Sequence, residues 1–252
     1  MTPGARIAAA IEILEKVERS NSPADDVVSS YLRGRRYIGS KDRRAITGRV
    51  FDVLRRLARL DWHIGESSPR RRVIADLKLN DAQPDDAISA LFDGEGYAPS
   101  ALTGDETALL DKLKDKSFAE ADYPAAVAAE LPDWLAEILT AQWGDKFLAE
   151  AQALNQPASL DLRVNTLKGD CTRALQVLQK DKIEAEPTTY SPLGLRLKGR
   201  VNLQASTAFK GGFIEIQDEG SQIIALLVDT KADMKTIDLC AGGGGKTLAL
   251  GA

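Results

Sequence analysis

The chain has 252 residues, 44% hydrophobic and 28% charged, with a formal net charge of −4, which is long and apolar enough for two domains with cores of their own. No apolar run approaches the roughly 18–20 residues of a membrane helix, and Met1-Thr2-Pro3 leads into a charged helix rather than a signal peptide, so the expectation is a cytoplasmic protein with no membrane partner. Two cysteines, Cys171 and Cys240, are too few for a disulfide framework or structural zinc site, and the single histidine, His63, excludes His-based triads and His-rich metal centres.

The first segment reads as helical. Ile7, Ile11 and Leu14 keep a helical rhythm that Asn21-Ser22-Pro23 ends, and a second helix is expected from Ala24 to about Leu32. Ile46, Val50, Val53, Leu57 and Leu60 fall at steps of 4, 3, 4 and 3, predicting one long helix capped by Ser40, with Arg44, Arg55 and Arg59 on its other side. This region is basic: residues 33–72 hold 13 Lys/Arg against 4 Asp/Glu, a local +9 that leaves −13 elsewhere. Such asymmetry points to a polyanionic partner, although a solvated helix face gives the same pattern. Residues 81–105 are acidic and loop-rich, and His63 beside Trp62 reads as a partly buried pair without a role.

A domain boundary is expected between Tyr123-Pro124 and Leu131-Pro132. Beyond it Trp134, Leu135, Ile138 and Leu139 line one helical face and Phe147, Leu148, Ala151 and Leu154 another. The period then becomes two: Leu160, Leu162 and Val164 alternate with Asp161, Arg163 and Asn165, predicting a half-buried strand with a wet polar face. A helix over about Thr172–Lys180 and two strands follow, the last at 193–198 with Arg196 and Lys198 on its polar face. After Lys210-Gly211-Gly212 come a short strand at 213–216, a helix from about Asp218 to Val228, and a buried strand at 235–239. That strand feeds a glycine loop, Cys240-Ala241-Gly242-Gly243-Gly244-Gly245-Lys246-Thr247, with a helix beginning near Lys246. Glycines after a strand let backbone approach a ligand, and a helix N-terminus offers N–H donors to an anionic or polar one. A P-loop would require glycine where Cys240 stands.

Three stretches in this order, Leu162-Arg163-Val164-Asn165-Thr166-Leu167, Gln217-Asp218-Glu219-Gly220-Ser221-Gln222 and Asp238 through Thr247, resemble the RsmB/Sun family of RNA cytosine-C5 methyltransferases. Gly39-Ser40-Lys41-Asp42-Arg43-Arg44, followed by Val50-Phe51-Asp52-Val53-Leu54-Arg55, looks like the NusB-like helical domain of its bacterial ribosomal RNA members. The resemblance implies a multidomain α and α/β protein: a NusB-like all-α RNA-binding domain over 1–130, a small α/β RNA-binding module over 131–210, and the start of a Rossmann-like methyltransferase domain over 211–252. It implies S-adenosylmethionine as cofactor, bound by Cys240, Ala241, Gly242, Gly243, Gly244, Gly245 and Lys246, and ribosomal RNA as partner, with Arg43, Arg44, Arg55, Arg59, Arg163, Asn165 and Lys198 as its contacts. Relatives usually have Pro or Ala where this chain has Gly243. The two cysteines that carry the family's chemistry, in Pro-Cys and Thr-Cys-Ser motifs downstream of the glycine loop, have no counterpart in these 252 residues, nor has its ribose-binding acid. No catalytic residue and no metal ligand is therefore assigned. The expectation is a polypeptide inactive by itself; the alternative is a non-catalytic RNA-binding module.

Overall fold

The computed structural model describes residues 1–119, 122–199 and 201–252. The chain divides into two compact units, Met1–Gln156 and Pro157–Ala252.

The first unit is helical: α1 (Pro3–Glu18), α2 (Ala24–Arg33), α3 (Ser40–Arg55), α4 (Leu57–Ile64), α5 (Pro69–Leu79), α6 (Asp85–Ser89), α7 (Gly104–Leu113), α8 (Ala125–Ala129), α9 (Asp133–Trp143) and α10 (Phe147–Leu154). The Thr2 hydroxyl accepts from the Ala5 amide at 3.2 Å and Pro3 opens α1, a cap plus a residue with its φ preset for the first turn. The long helix expected through Leu60 is instead two, broken at Arg56 (φ −121°, ψ 21°). Its apolar stripe survives the break, with Ile46, Val50, Val53 and Leu60 all buried; periodicity reports the buried face, not the continuity of the backbone. Ser40 does not cap α3. Gly39 takes that position, and Asp42 in the first turn accepts from the Met1 amine at 3.1 Å and Arg6 at 2.7 Å.

α5 has no counterpart among the expected helices, yet it packs against α1, α3, α4, α6 and α7. The Ser68 hydroxyl accepts from the Arg71 amide, and Val73, Ile74, Ala75 and Leu77 are buried. Its fully buried Asp76 accepts from Arg49 and lies 3.6 Å from Arg56. α7 starts in the acidic stretch read as loop, with a capping box in which Thr103 and Glu106 satisfy each other's backbone amides.

α8–α10 pack with this first unit, whose compact body runs to Gln156. Glu130 and Asn155 supply the physical reason. The Glu130 carboxylate accepts from the Ala58 amide at 2.7 Å, and Asn155 Nδ2 donates to the Arg55 carbonyl at 2.7 Å. Trp134 and Ile138, expected on a buried helix face, are 64% and 56% exposed; Ala136, on the opposite side of α9, is buried.

The second unit contains β1 (Asp161–Val164), α11 (Cys171–Lys180), β2 (Ala185–Pro187), β3 (Gly194–Leu197), α12 (Thr207–Lys210), β4 (Ile214–Ile216), α13 (Glu219–Leu227) and α14 (Gly245–Leu250). The strands form one antiparallel sheet in the order β2-β3-β1-β4, and the βαββαβ succession with that order is ferredoxin-like. β4, expected to open a third domain, completes this sheet by pairing Ile216 with Leu162 and Ile214 with Val164. β1 is buried on both faces, because Leu162 and Val164 face the core while α13 packs over the strand. Gly194 is required where β3 leaves its turn: a Cβ there would lie 2.0 Å from Thr188 Oγ1. Residues 235–239, expected as a buried strand, form none; Ile237 and Leu239 are 88% and 91% exposed. A strand exists by pairing its backbone groups, and no strand of this sheet pairs with that segment.

Candidate nucleic-acid and cofactor sites

The basic stretch separates into cations that are spent and cations that are free. Arg35 reaches Glu12 at 3.0 Å, Arg59 reaches Glu130 at 2.6 Å, Arg70 reaches Glu106 at 2.6 Å and Arg72 reaches Asp61 at 2.7 Å; Arg49 pairs with Asp76 and Asp81. Arg55 and Arg56 lie 3.8 and 3.6 Å from Asp52. Arg43 donates to the carbonyls of Ile38 at 2.8 Å and Arg35 at 3.1 Å, bracing the connection between α2 and α3. By contrast Arg33, Arg36, Lys41 and Arg44 are exposed and make no ion pair among the described residues. All four lie on or beside that braced connection. Uncompensated charge held on a rigid turn is what a phosphate backbone selects.

Of the seven RNA-contacting residues expected from sequence, Arg44 and Lys198 stand toward solvent. The Lys198 pair with Glu186 at 3.0 Å is a surface contact, weak enough to exchange for a phosphate. Arg43, Arg55 and Arg59 have the internal partners given above. Arg163, expected on a wet face, is buried and paired with Glu215. Asn165 donates to the Gly212 carbonyl at 2.9 Å and accepts from the Leu167 amide at 3.1 Å, so it shapes the turn after β1. Arg33, Arg36 and Lys41 were missed as individuals, although a signal was present: residues 27–41 contain no Asp or Glu.

The glycine loop is braced at its ends by Thr247 Oγ1 donating to Asp238 Oδ2 at 2.7 Å, and turned by the Gly244 amide donating to the Ala241 carbonyl at 2.8 Å. Gly242 (φ +54°) and Gly244 (φ +80°) occupy the left-handed region that glycine tolerates. α14 begins where expected, at Gly245, and the first amides of a helix have no partner within it. These donors, with the Lys246 ammonium, fit the carboxylate end of S-adenosylmethionine in kind. A Cβ at Gly243 or Gly244 would meet nothing within 4 Å, so the loop presents one wall and not an enclosed pocket. Asp218 caps α13 by accepting from the Gly220 amide at 2.9 Å, while the buried Glu219 accepts from the Ser191 amide at 2.9 Å. The middle motif is thus a brace for the turn before β3.

Neither thiol has the setting of an activated nucleophile. Cys171 Sγ donates to the Pro192 carbonyl at 3.2 Å, and burial, with Asp170 beside it, pushes its pKa up. Cys240 lies exposed in the loop. Among the described residues no group of three or more His, Cys, Asp or Glu could hold a metal ion, and no helix is long and apolar enough to cross a membrane.

Residues 131–204 match the model of the Methyltr_RsmF/B-like, ferredoxin-like domain. Ribosomal RNA small subunit methyltransferase B of Xylella fastidiosa (strain Temecula1) is 36% identical over 122 residues, covering 48% of this chain and 28% of that protein. The probable ribosomal RNA small subunit methyltransferase B of Synechocystis is 28% identical over 261 aligned positions, covering 93% of this chain and 58% of its own length. The chain thus spans only part of these relatives. The crystal structure of PH0851 shares the fold, with a TM-score of 0.64 and 22% identity over 99% of this chain and 61% of that one. Residues 131–204 thus carry an RsmF/B-like ferredoxin-like domain, and the chain around them is similar to proteins named ribosomal RNA small subunit methyltransferase B.

Proposed function

We propose that this chain is the RNA-engaging and cofactor-loop portion of an S-adenosylmethionine-dependent methyltransferase that acts on cytosine C5 of small-subunit ribosomal RNA. The observation that carries the reading is the set of unpaired cations, Arg33, Arg36, Lys41 and Arg44, on one braced connection, in a chain whose relatives are named for ribosomal RNA methylation. S-adenosylmethionine, when bound, supplies the methyl group. The chain's own part is to offer the amides of Gly245 and Lys246 and the Lys246 charge to the donor's carboxylate end, and to hold RNA by its phosphates. Cytosine C5 becomes nucleophilic only after a group adds at C6, and a positioned thiolate is the usual means. Cys171, hydrogen-bonded and raised in pKa, does not serve; Cys240 is a member of the loop itself. The 252-residue polypeptide therefore binds RNA without methylating it.

Two titrations test this. The chain should retain small-subunit ribosomal RNA in a gel-shift assay, and calorimetry with S-adenosylmethionine should give binding weaker than micromolar, as expected for a single wall. Failure to retain the RNA contradicts the RNA-engaging reading, and micromolar cofactor binding contradicts the single-wall reading. In a tritiated-methyl assay no incorporation is expected, and incorporation that Cys240→Ala abolishes would make Cys240 the nucleophile.

A further inference from the structure

Two tyrosines of the helical unit have bare rings. Tyr37, in the connection between α2 and α3, is 75% exposed, and Tyr97, in the turn that follows α6, is 87% exposed. The other tyrosines of this unit are engaged: Tyr31 donates its hydroxyl to Glu12 at 2.6 Å, and Tyr123 lies 2.8 Å from His63 Nε2. Tyr37 and Tyr97 line one groove of about 690 Å³. Ala5, Ala8 and Ala9 of α1 contribute small apolar side chains to it, which leaves room for a flat ring. Another part of its wall is fixed and polar: Glu12 holds both the Tyr31 hydroxyl and Arg35, whose guanidinium lies over the Tyr31 ring at 3.6 Å from its centroid.

The basic connection reaches this same groove. Arg36 precedes Tyr37 in the chain, and Met1, which also lines the groove, is tied by its amine to Asp42 in the first turn of α3, between Lys41 and Arg44. Aromatic faces set in apolar surroundings, flanked by uncompensated cations and polar groups of fixed geometry, are the recurring means of holding an unstacked base and its phosphates. A duplex keeps its bases stacked inside and offers nothing to such rings.

We propose that this groove takes an unpaired base of single-stranded RNA, stacked on Tyr37 or Tyr97, with the flanking phosphates on Arg36, Lys41 and Arg44. The proposal rests on the RNA-engaging reading and adds to it the kind of RNA and the place where a base is held.

The test is a fluorescence titration of the chain with a short single strand carrying 2-aminopurine, and with the same sequence fully paired, over a series of salt concentrations. The single strand should bind more tightly than the duplex, with quenching of the reporter base. Tyr37→Ala or Tyr97→Ala, whichever removes the ring that carries the base, should weaken single-strand binding about tenfold while leaving the salt slope unchanged, since stacking releases no counterions. Tyr37→Phe should bind like the parent chain. RNA binding that persists undiminished in both alanine variants would overturn the groove assignment alone and point to a protein segment as its occupant. Absence of RNA binding by the unaltered chain would overturn the assignment together with the reading beneath it.

Discussion

On β1, Asp161 and Arg163 share the face away from the apolar core, and each is matched by its cross-strand neighbour: Asp161 opposite Arg196 and Arg163 opposite Glu215. Opposite charges directly across a ladder stabilise the register as well as the sheet. Arg196 donates twice to Asp161, at 2.8 and 2.9 Å, and these hydrogen bonds hold the Asp161 carboxyl below its usual range. A carboxylate with a depressed folded pKa contributes stability above its unfolded value, about 3.9, and loses it as pH falls through the folded value. The protection factors of the β1 and β3 amides, taken against the intrinsic exchange rate at each pH, should therefore be high near neutral pH and fall below about pH 4. Arg196→Met should destabilise the sheet by about 2 kcal/mol at pH 7, at the low end for a broken buried pair because Arg196 is itself partly exposed. Unchanged exchange in that variant would show that the pair contributes nothing. The alternation of apolar and polar residues in 160–165 was legible in the sequence. That the polar face would be covered was not, because covering depends on α13, more than fifty residues away.

At the scale of elements, α4 shows how the helical unit compensates for the break at Arg56. The helix has no side-chain cap of its own. The carboxylate of Glu130, at the left-handed end of α8, takes that place by accepting from the amides of Ala58 at 2.7 Å and Arg59 at 3.4 Å, and it also binds the Arg59 guanidinium at 2.6 Å. Removal leaves orphan amides and a half-buried guanidinium, so Glu130→Ala should lower the stability of the helical unit by about 2–3 kcal/mol in urea unfolding. A change within a few tenths of a kcal/mol would mean that α4 caps itself. α1, α2 and α9–α11 were readable from apolar spacing and stop signals. α5 was hidden because its first turn is Arg70-Arg71-Arg72, of which Arg70 is paired with Glu106 and Arg72 with Asp61 and Glu18, acids outside the helix. The strand expected at 235–239 carried the right residues, but a strand is a property of its neighbours as well as of itself.

At the scale of the molecule, a net charge of −4 conceals a local excess of positive charge, and the fold decides how much of that excess faces outward. Most arginines of 49–72 neutralise acids within the helical unit. What remains is the α2–α3 connection. The sequence reading placed the patch in the right third of the chain but distributed it over helix faces, because i, i+4 geometry cannot reveal an acid such as Glu130 contributed from 71 residues away. The most direct test is the salt dependence of ribosomal RNA binding for the parent chain, for Arg36→Ser/Lys41→Ser/Arg44→Ser, and for Arg55→Ser. Each lost phosphate contact should flatten the log–log slope by roughly 0.7–0.9, so the triple variant should lose about two units of slope along with affinity, while Arg55→Ser should follow the parent. A triple variant that keeps the parent's slope, or an Arg55→Ser chain that loses as much, would contradict the assignment of the RNA-facing charge to the α2–α3 connection.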